Sequence, residues 1–218
     1  MPSALILIAE GTEESEFTIT YDILVRGSIS VSSAHVGSSS STSSSSTSPH
    51  TVPFVTCSRG VKIVPDLSLT DLAGGKALEY DALVIPGGAK GAELIGANPD
   101  VQALISAMYA TGKIVAAICA GSLAIKHAGI GKDGAITSHP SVKNSLDKHY
   151  TYKEHRVVVA DNLITSRGPG TSFEFALAIV EAMVGKHKRH EIEPPLILPS
   201  GSVRGIAQSS PDQVSPSS

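Results

Sequence analysis

The residue with the clearest chemical potential in this sequence is Cys119, which follows an apolar run and precedes Ala120-Gly121-Ser122. A buried strand that turns sharply over small residues into a helix is the layout of a nucleophile elbow. The free N–H groups and the positive end of the helix dipole favour a thiolate over a thiol. We therefore predict that Cys119 is a nucleophile with a pKa well below the reference of about 8.5. A buried structural cysteine is the alternative, and Cys57 is expected to be an ordinary thiol.

A second candidate is Glu16, in a group of carboxylates that follows the first apolar run of the chain. The carboxyl ends of strands are where α/β proteins usually bind ligands. Glu10, Glu13 and Glu14 fit a solvated helix N-terminus, because the helix dipole favours acidic residues there. Glu16 lies about one turn further on, beside the apolar Phe17. Partial desolvation there would raise the pKa of the Glu16 carboxyl, which could then exchange a proton with a thiolate or a substrate.

Two further segments could complete such a site. In Pro86-Gly87-Gly88, paired glycines end an apolar run and let backbone N–H groups approach a ligand closely, so Gly88 is a candidate oxyanion donor. Alone this signal is weak, because most such sequences are only turns. His139 follows another short apolar run and could be the general base or orienting partner for Cys119. The other histidines are interpreted as surface residues.

The elements that must position these residues alternate along the chain. Short aliphatic runs and stretches of helical period favour an α/β fold, with a mostly parallel sheet covered by helices on both faces. Strands are predicted at residues 4–9, 28–33, 82–85, 114–118 and 163–165, and helices at residues 13–26, 100–111, 122–128 and 172–184.

Length and composition predict one globular domain over residues 1–199. The chain has 218 residues, of which 41% are hydrophobic and 17% charged. The Ser-rich residues 37–50 lack apolar side chains to bury, so they are predicted to be a disordered insertion. Residues 200–218 are similarly polar and are predicted to form a mobile tail.

Charge and cysteine content narrow the classes of partner. A net charge of −3 and a pI near 6.2 give no basic field for nucleic acid, and no segment reaches the roughly 18 apolar residues of a membrane helix. Small molecules and proteins remain as partners. The two cysteines, Cys57 and Cys119, are too few for a disulfide framework and wrongly spaced for zinc. We therefore expect no metal, no cofactor and a cytoplasmic location, with the nucleus left open.

Several longer motifs occur together in this order. They are Glu-Gly-Thr-Glu-Glu-Ser-Glu at 10–16, Cys-Ser-Arg-Gly at 57–60, Val-Ile-Pro-Gly-Gly at 84–88, Ala-Ala-Ile-Cys-Ala-Gly at 116–121, Thr-Ser-His-Pro at 137–140, His-Tyr-Thr-Tyr at 149–152 and the run from Thr-Ser-Arg-Gly-Pro-Gly at 165–181. Together they resemble the Parkinsonism-associated deglycase branch of the ThiJ/DJ-one/PfpI superfamily. The resemblance covers about residues 4–199 without the Ser-rich segment, and the run at 165–181 separates this branch from the proteases and chaperones of the superfamily.

The resemblance implies a flavodoxin-like three-layer sandwich that forms a homodimer. It implies Cys119 as the reactive cysteine, Glu16 as its protonated partner and His139 nearby. Gly88 and Ala120 would supply oxyanion N–H groups, and Arg59 and Arg26 would approach the active site from across the dimer interface. Ala89 departs from the family pattern, in which animal members have Asn.

The function that the resemblance implies is a cofactor-free glyoxalase. It would convert methylglyoxal and related 2-oxoaldehydes to 2-hydroxy acids such as lactate through a Cys119 hemithioacetal, with protein deglycase activity as a related claim. A redox sensor or holdase chaperone that acts through oxidation of Cys119 is the alternative. A cysteine peptidase is the weakest hypothesis, because no acid behind the histidine can be identified.

Overall fold

The computed structural model describes residues 1–37, 54–199 and 206–208 of the chain. The strands are β1 (Ser3–Ile8), β2 (Ser30–His35), β3 (Val55–Thr56), β4 (Lys62–Ile63), β5 (Leu67–Ser68), β6 (Ala82–Ile85), β7 (Ile114–Ile118), β8 (Ala135–Ile136), β9 (Thr151–Tyr152), β10 (Val157–Ala160), β11 (Leu163–Ser166) and β12 (Ile206–Gln208). The helices are α1 (Glu14–Arg26), α2 (Ala89–Ala97), α3 (Pro99–Ala110), α4 (Ser122–Ala128), α5 (Lys143–Leu146), α6 (Ser172–Val184) and α7 (Lys186–Ile192).

The centre of the molecule is a sheet with the strand order β12-β10-β11-β7-β6-β1-β2-β5. Neighbouring strands run parallel except for β10 and β11, which form an antiparallel pair. Parallel strands of this kind need helical crossovers that cover both faces. The predicted α/β fold with a mostly parallel sheet and helices on both faces is confirmed.

Alternation along the strands builds two apolar layers. In β1, Ile6 and Ile8 face a cluster that contains Phe17 of α1 and Phe175 of α6, whereas Leu5 belongs to the opposite cluster with residues of α3 and α4. Successive side chains of a strand point to opposite faces, so one apolar run can serve both layers. The result is a three-layer sandwich with α1, α6 and α7 on one face and α2, α3 and α4 on the other.

The first helix begins and ends at identifiable signals. The Glu13 carboxylate accepts the backbone N–H of Glu16 at 2.7 Å, which satisfies one of the free donors of the first turn. Gly27 caps the other end, and Ser28 follows with a left-handed φ of 61°. Because this turn occupies residues 27–28, the second strand begins at Ser30 and ends at His35, two residues later than the predicted 28–33.

Several regular elements were absent from the prediction, and helix α2 and strand β10 are the longest helix and the longest strand among them. Helix α2 follows Gly88 directly, although its glycines lower helix propensity. One of them, Gly91, allows close packing, because a Cβ there would lie 2.6 Å from the backbone nitrogen of Thr12. Strand β10 was also missed. It turns back against β11 as an antiparallel hairpin, which the alternation of strands and helices did not reveal.

Parts of the two predicted irregular segments fall outside the described residues. Of the predicted disordered insertion at 37–50, only Gly37 is described. In the predicted mobile tail, residues 206–208 pair in parallel with β10, and the rest of the tail lies outside the described residues, so the mobility of the tail stays a prediction. Within the described part of the chain, no helix has the length and apolar character needed to cross a membrane.

Candidate active site

The candidate site lies at the edge of the sheet where the parallel strands end. The register pairs Ile85 of β6 with Ala117 of β7, and Ile118 of β7 with Ser166 of β11. The segments that follow these strands are therefore neighbours. This arrangement brings the turn after β7 between the turns that follow β6 and β11, at the edge where α/β proteins commonly bind ligands.

Cys119 occupies the sharp turn directly after β7. Its φ of 62° lies in the left-handed region, where a residue other than glycine is strained by about 1–3 kcal/mol. A short turn then leads into α4 at Ser122. Gly121 is required in this turn, because a Cβ there would lie 2.5 Å from the carbonyl oxygen of Ile85. The thiol is partly exposed, so it can meet a substrate while its backbone stays locked against the neighbouring strand.

Glu16 extends from the first turn of α1 against this thiol. Its side chain is fully buried and interacts with Cys119 by a hydrogen bond. One oxygen, Oε2, accepts the backbone N–H of Gly87 at 2.7 Å. The other, Oε1, is buried without a conventional hydrogen-bond partner among the described residues. An unpaired buried carboxylate oxygen is costly, so this environment favours a protonated carboxyl group that can donate toward the sulfur.

The two glycines after Pro86 make this contact possible. A Cβ on Gly87 would lie 2.6 Å from both the Cβ of Cys119 and Oε2 of Glu16. Gly88 has a left-handed φ of 85°, and a Cβ there would lie 2.2 Å from the carbonyl oxygen of Gly11. The backbone N–H groups of Gly88 and Ala120 both donate to the sulfur of Cys119. The two predicted oxyanion donors therefore lie beside the reactive atom.

Burial raises the pKa values of both members of the pair. Burial is the largest cause for the Glu16 carboxyl, whose pKa rises to about 7 although the Gly87 N–H and the thiol oppose the shift. Burial followed by the charge and hydrogen bond of Glu16 raises the pKa of the Cys119 thiol to about 12, against the opposing N–H groups of Ala120 and Gly88. Since the groups are in contact, they titrate as a unit that loses one proton near pH 7 and keeps the other.

This finding corrects the predicted thiol pKa well below 8.5. The N–H groups at the turn do lower the pKa of the Cys119 thiol, as predicted, but burial and the neighbouring carboxylate raise it by more. Thiolate at neutral pH therefore depends on Glu16 holding the remaining proton. The prediction for Cys57 is also wrong: it is buried, and burial together with Glu14, Glu13 and Glu10 raises the pKa of its thiol to about 11.

His139 meets the site through its main chain. Its backbone N–H donates to the carbonyl oxygen of Cys119 at 3.3 Å. The imidazole ring is exposed and bonds within the turn that follows it. Its Nδ1 accepts the N–H of Ser141 at 3.2 Å and contacts the Ser141 hydroxyl at 2.7 Å. The neutral ring must then carry its proton on Nε2. The role of His139 as a general base stays a prediction.

Within the described part of the chain, neither predicted arginine side chain forms a hydrogen bond or ion pair with Cys119 or Glu16. Arg26 is in the last turn of α1, roughly 15 Å along the helix from Glu16, and it forms an exposed ion pair with Asp22 at 2.7 Å. Arg59 is exposed at the turn between β3 and β4, and its guanidinium contacts the carbonyl oxygen of Ser58 at 3.3 Å. Their approach across a dimer interface remains a prediction.

Two features of the site were missed or misread from the sequence. Gly87, which donates to Glu16 and leaves room for it, was passed over in favour of its neighbour Gly88. Glu14 was interpreted as a solvated residue, but only 8% of it is exposed and its carboxylate accepts the backbone N–H of Arg59 at 2.9 Å. Glu14 is two positions before Glu16, so the two side chains point to nearly opposite sides of the helix. This spacing is a sequence signal that Glu14 contacts a different segment from the one that Glu16 contacts.

Comparisons with known proteins add independent information. A model of the DJ-1/PfpI family matches residues 2–182. The chain is 38% identical to the glutathione-independent glyoxalase DJR-1.2 of Caenorhabditis elegans, over 90% of this chain and 96% of that protein. It is 33% identical to the glutathione-independent glyoxalase DJ-1 of Schizosaccharomyces pombe, over 91% and 100%. The crystal structure of Drosophila melanogaster DJ-1beta, which is 38% identical, superposes with a TM-score of 0.79 over 91% of this chain and 98% of that chain.

The shared proton predicts the pH dependence of Cys119 alkylation. Below about pH 7 both groups hold their protons, whereas above it the pair keeps one proton, and Cys119 is a thiolate in the form in which Glu16 holds that proton. The alkylation rate should rise through pH 7 in the wild type. In Glu16→Gln this step should vanish. A single titration should remain, with a pKa below that of the wild-type thiol, because the carboxylate no longer opposes thiolate formation.

Mass spectrometry of the Cys119 peptide measures the rates, with Cys57 as the slow internal reference. A step near pH 7 that survives in Glu16→Gln would contradict the shared proton.

Proposed function

Since this chain belongs to the DJ-1/PfpI family, we propose that it is a glutathione-independent glyoxalase that converts methylglyoxal and related 2-oxoaldehydes to 2-hydroxy acids such as lactate. The observation that carries the proposal is the contact of the buried Glu16 carboxyl with Cys119 at the strained turn. The glyoxalases of C. elegans and S. pombe named above support the reaction class. The contact supplies a nucleophile and a proton carrier, which are the two groups that this isomerisation and hydration need.

The proposed reaction begins with attack of the Cys119 thiolate on the aldehyde carbon of methylglyoxal. A carbon–sulfur bond forms, and the aldehyde oxygen receives the proton that Glu16 holds, which gives a neutral hemithioacetal and a Glu16 carboxylate. The N–H groups of Gly88 and Ala120 already lie against the sulfur. They are placed to stabilise negative charge on the oxygen while it develops.

The next step moves a hydrogen between the two carbons of the adduct. The Glu16 carboxylate, or His139, removes the proton from the carbon attached to sulfur and leaves an enediolate, which becomes an enediol when its oxygen takes up a proton. Return of a proton to the adjacent carbon, with loss of the hydroxyl proton from the carbon attached to sulfur, then gives the thioester of lactate. A carboxyl group whose pKa lies at about 7 suits this task, because it can both accept and release a proton near neutral pH.

Hydrolysis completes the cycle. Water attacks the thioester carbon, the carbon–sulfur bond breaks, and lactate leaves with the thiolate restored. Of the two protons released, one returns Glu16 to its protonated form and the other passes to solvent. The same thiolate could act on early glycation adducts, so we include protein deglycase activity in the proposal. The two cysteines are free among the described residues, which agrees with a reducing location such as the cytoplasm or nucleus.

We further propose that two copies of the chain associate through the outer face of α1. A groove with a volume of about 380 Å³ runs between this face, including Phe17 and Tyr21, and the segment Ile63-Val64. Val25 at its edge is 50% exposed and Val64 is 55% exposed. An apolar patch of this kind is typical of a protein interface. The occupant that fits is a second copy, whose site Arg59, exposed at the turn that precedes β4, would then approach.

Solvent exchange during turnover tests the proposed route. Lactate formed in heavy water should carry deuterium at C2, because a proton released to a carboxylate in an open site exchanges with solvent. Cys119→Ser should reduce turnover by at least about 10³-fold, and Glu16→Gln by about 10²-fold to 10⁴-fold. Glu93→Gln, on the exposed side of α2, is the matched control and should behave as wild type.

Nuclear magnetic resonance of the product reads the label. Retention of the original hydrogen at C2 in every lactate molecule would rule out the enediol. Absence of lactate together with selective oxidation of Cys119 by peroxide would instead favour a redox sensor.

The proposed interface has its own test. Wild-type protein should be a dimer by light scattering at micromolar concentration, and Val64→Glu should be a monomer because it places a charge in the apolar groove. Leu94→Glu is the matched control, since Leu94 is 44% exposed on α2, on the other side of the sheet. A monomeric wild type, or equal effects of the two substitutions, would refute this surface as the interface.

A further inference from the structure

The Glu14 carboxylate is the anchor of the turn that carries Arg59. Its oxygens accept the Arg59 backbone N–H at 2.9 and 3.1 Å, the Ser58 hydroxyl at 2.8 Å and, more weakly, the Val61 N–H at 3.5 Å. Burial acts to raise the pKa of the Glu14 carboxyl, but the hydrogen bonds together outweigh it and lower the pKa. Four contacts from one turn to a single ionised group fix the conformation of that turn.

The rest of the hairpin formed by β3 and β4 is tied to the same segment. The Ser58 N–H donates to the Thr12 carbonyl at 2.8 Å, and the Gly11 N–H donates to the Thr56 carbonyl at 2.9 Å. The Thr56 N–H in turn donates to Oε1 of Glu10 at 2.9 Å. The hairpin therefore rests on residues 10–14, immediately before the turn of α1 that presents Glu16.

Residues 10–14 also contact the glycines beside the nucleophile. The Glu13 N–H donates to the Gly87 carbonyl at 3.0 Å, and Gly88 packs so closely on Gly11 that a Cβ would not fit. A continuous set of hydrogen bonds thus leads from Cys119 to the Arg59 turn. Among the described residues, the Arg59 guanidinium has one hydrogen bond, to the adjacent Ser58 carbonyl, so the backbone of the turn determines where it points.

We propose that Glu14 is a positioning residue that holds Arg59 in the orientation in which it attracts an anionic ligand to a Cys119 site. This inference rests on the role of Arg59 in the proposed function. It assigns to Glu14 an effect that its charge alone would not have. A negative charge near the site repels anions, whereas the positioning of a guanidinium by the same carboxylate attracts them.

The charge of Glu14 and its positioning of Arg59 would have opposite effects on an anionic reagent, and this permits a test that does not depend on turnover. Iodoacetate is an anionic reagent and iodoacetamide a neutral one, and both alkylate the same thiolate. The rate of alkylation by iodoacetate divided by the rate of alkylation by iodoacetamide, measured at Cys119, therefore reports the local charge. A change in the thiol pKa alters both rates equally and cancels in this ratio. Rates would be measured by mass spectrometry for wild type, Arg59→Ala, Glu14→Gln and the double variant. Glu174→Gln, which removes another buried carboxylate from a different helix, is the matched control.

The ratio should fall about threefold to fivefold in Arg59→Ala, the size of a screened charge contact. It should fall equally in Glu14→Gln and no further in the double variant, because both changes remove one positioned charge. Glu174→Gln should leave the ratio unchanged. Ser58→Ala, which keeps the charge of Glu14 but removes one of its donors, should give a smaller fall and serves if Glu14→Gln does not fold.

Three results would overturn the proposal: an unchanged ratio in Arg59→Ala, a ratio that rises in Glu14→Gln, or additive falls in the double variant. A different result would contradict the proposed function. If wild type forms no lactate but the ratios follow the expected pattern, the glyoxalase proposal is wrong and the positioning role of Glu14 stands.

Discussion

Contact between a buried carboxyl group and a thiol is the interaction on which the rest of this site depends. Either group alone would lose its charge in such surroundings, because burial penalises both the carboxylate and the thiolate. Together Glu16 and Cys119 can hold one negative charge and one proton between them, and both pKa values are raised accordingly. Reactivity near neutral pH then belongs to the pair and not to the cysteine.

The fold supports this pair by close backbone packing. Cys119 is held in a left-handed conformation, and three neighbouring glycines, Gly87, Gly88 and Gly121, occupy positions where a Cβ would lie under 3 Å from other atoms. Such contacts join the turns after β1, β6 and β7 into one unit. The strain at the nucleophile is maintained because the surrounding strands and turns leave it no alternative position.

Much of this arrangement could be predicted from the sequence. Apolar periodicity indicated the strands and helices that form the sheet and its layers, and small residues around Cys119 indicated the sharp turn. The unusual position of Glu16 beside Phe17 indicated a desolvated carboxyl. These signals are local, and each follows from the types of neighbouring residues.

The parts that escaped prediction depend on contacts between distant segments. The pKa of the Cys119 thiol was predicted in the wrong direction, because the turn is visible in the sequence whereas burial against Glu16 is not. Glu14 was read as solvated, because nothing beside it shows that the turn at Arg59 covers it. Helix α2 was hidden by the glycines at its start, which usually mark turns.

The location of the shared proton can be measured directly by infrared spectroscopy. Difference spectra between wild type and Glu16→Gln, with glutamate labelled by carbon-13, isolate the Glu16 carboxyl band, and ultraviolet absorbance reports thiolate in the same samples. At pH 8 we expect one proton per pair, so that the protonated fraction of Glu16 matches the thiolate fraction of Cys119, and neither Cys119→Ser nor Glu16→Gln should show such matching bands. Two protons per pair, or none, at that pH would contradict the shared proton.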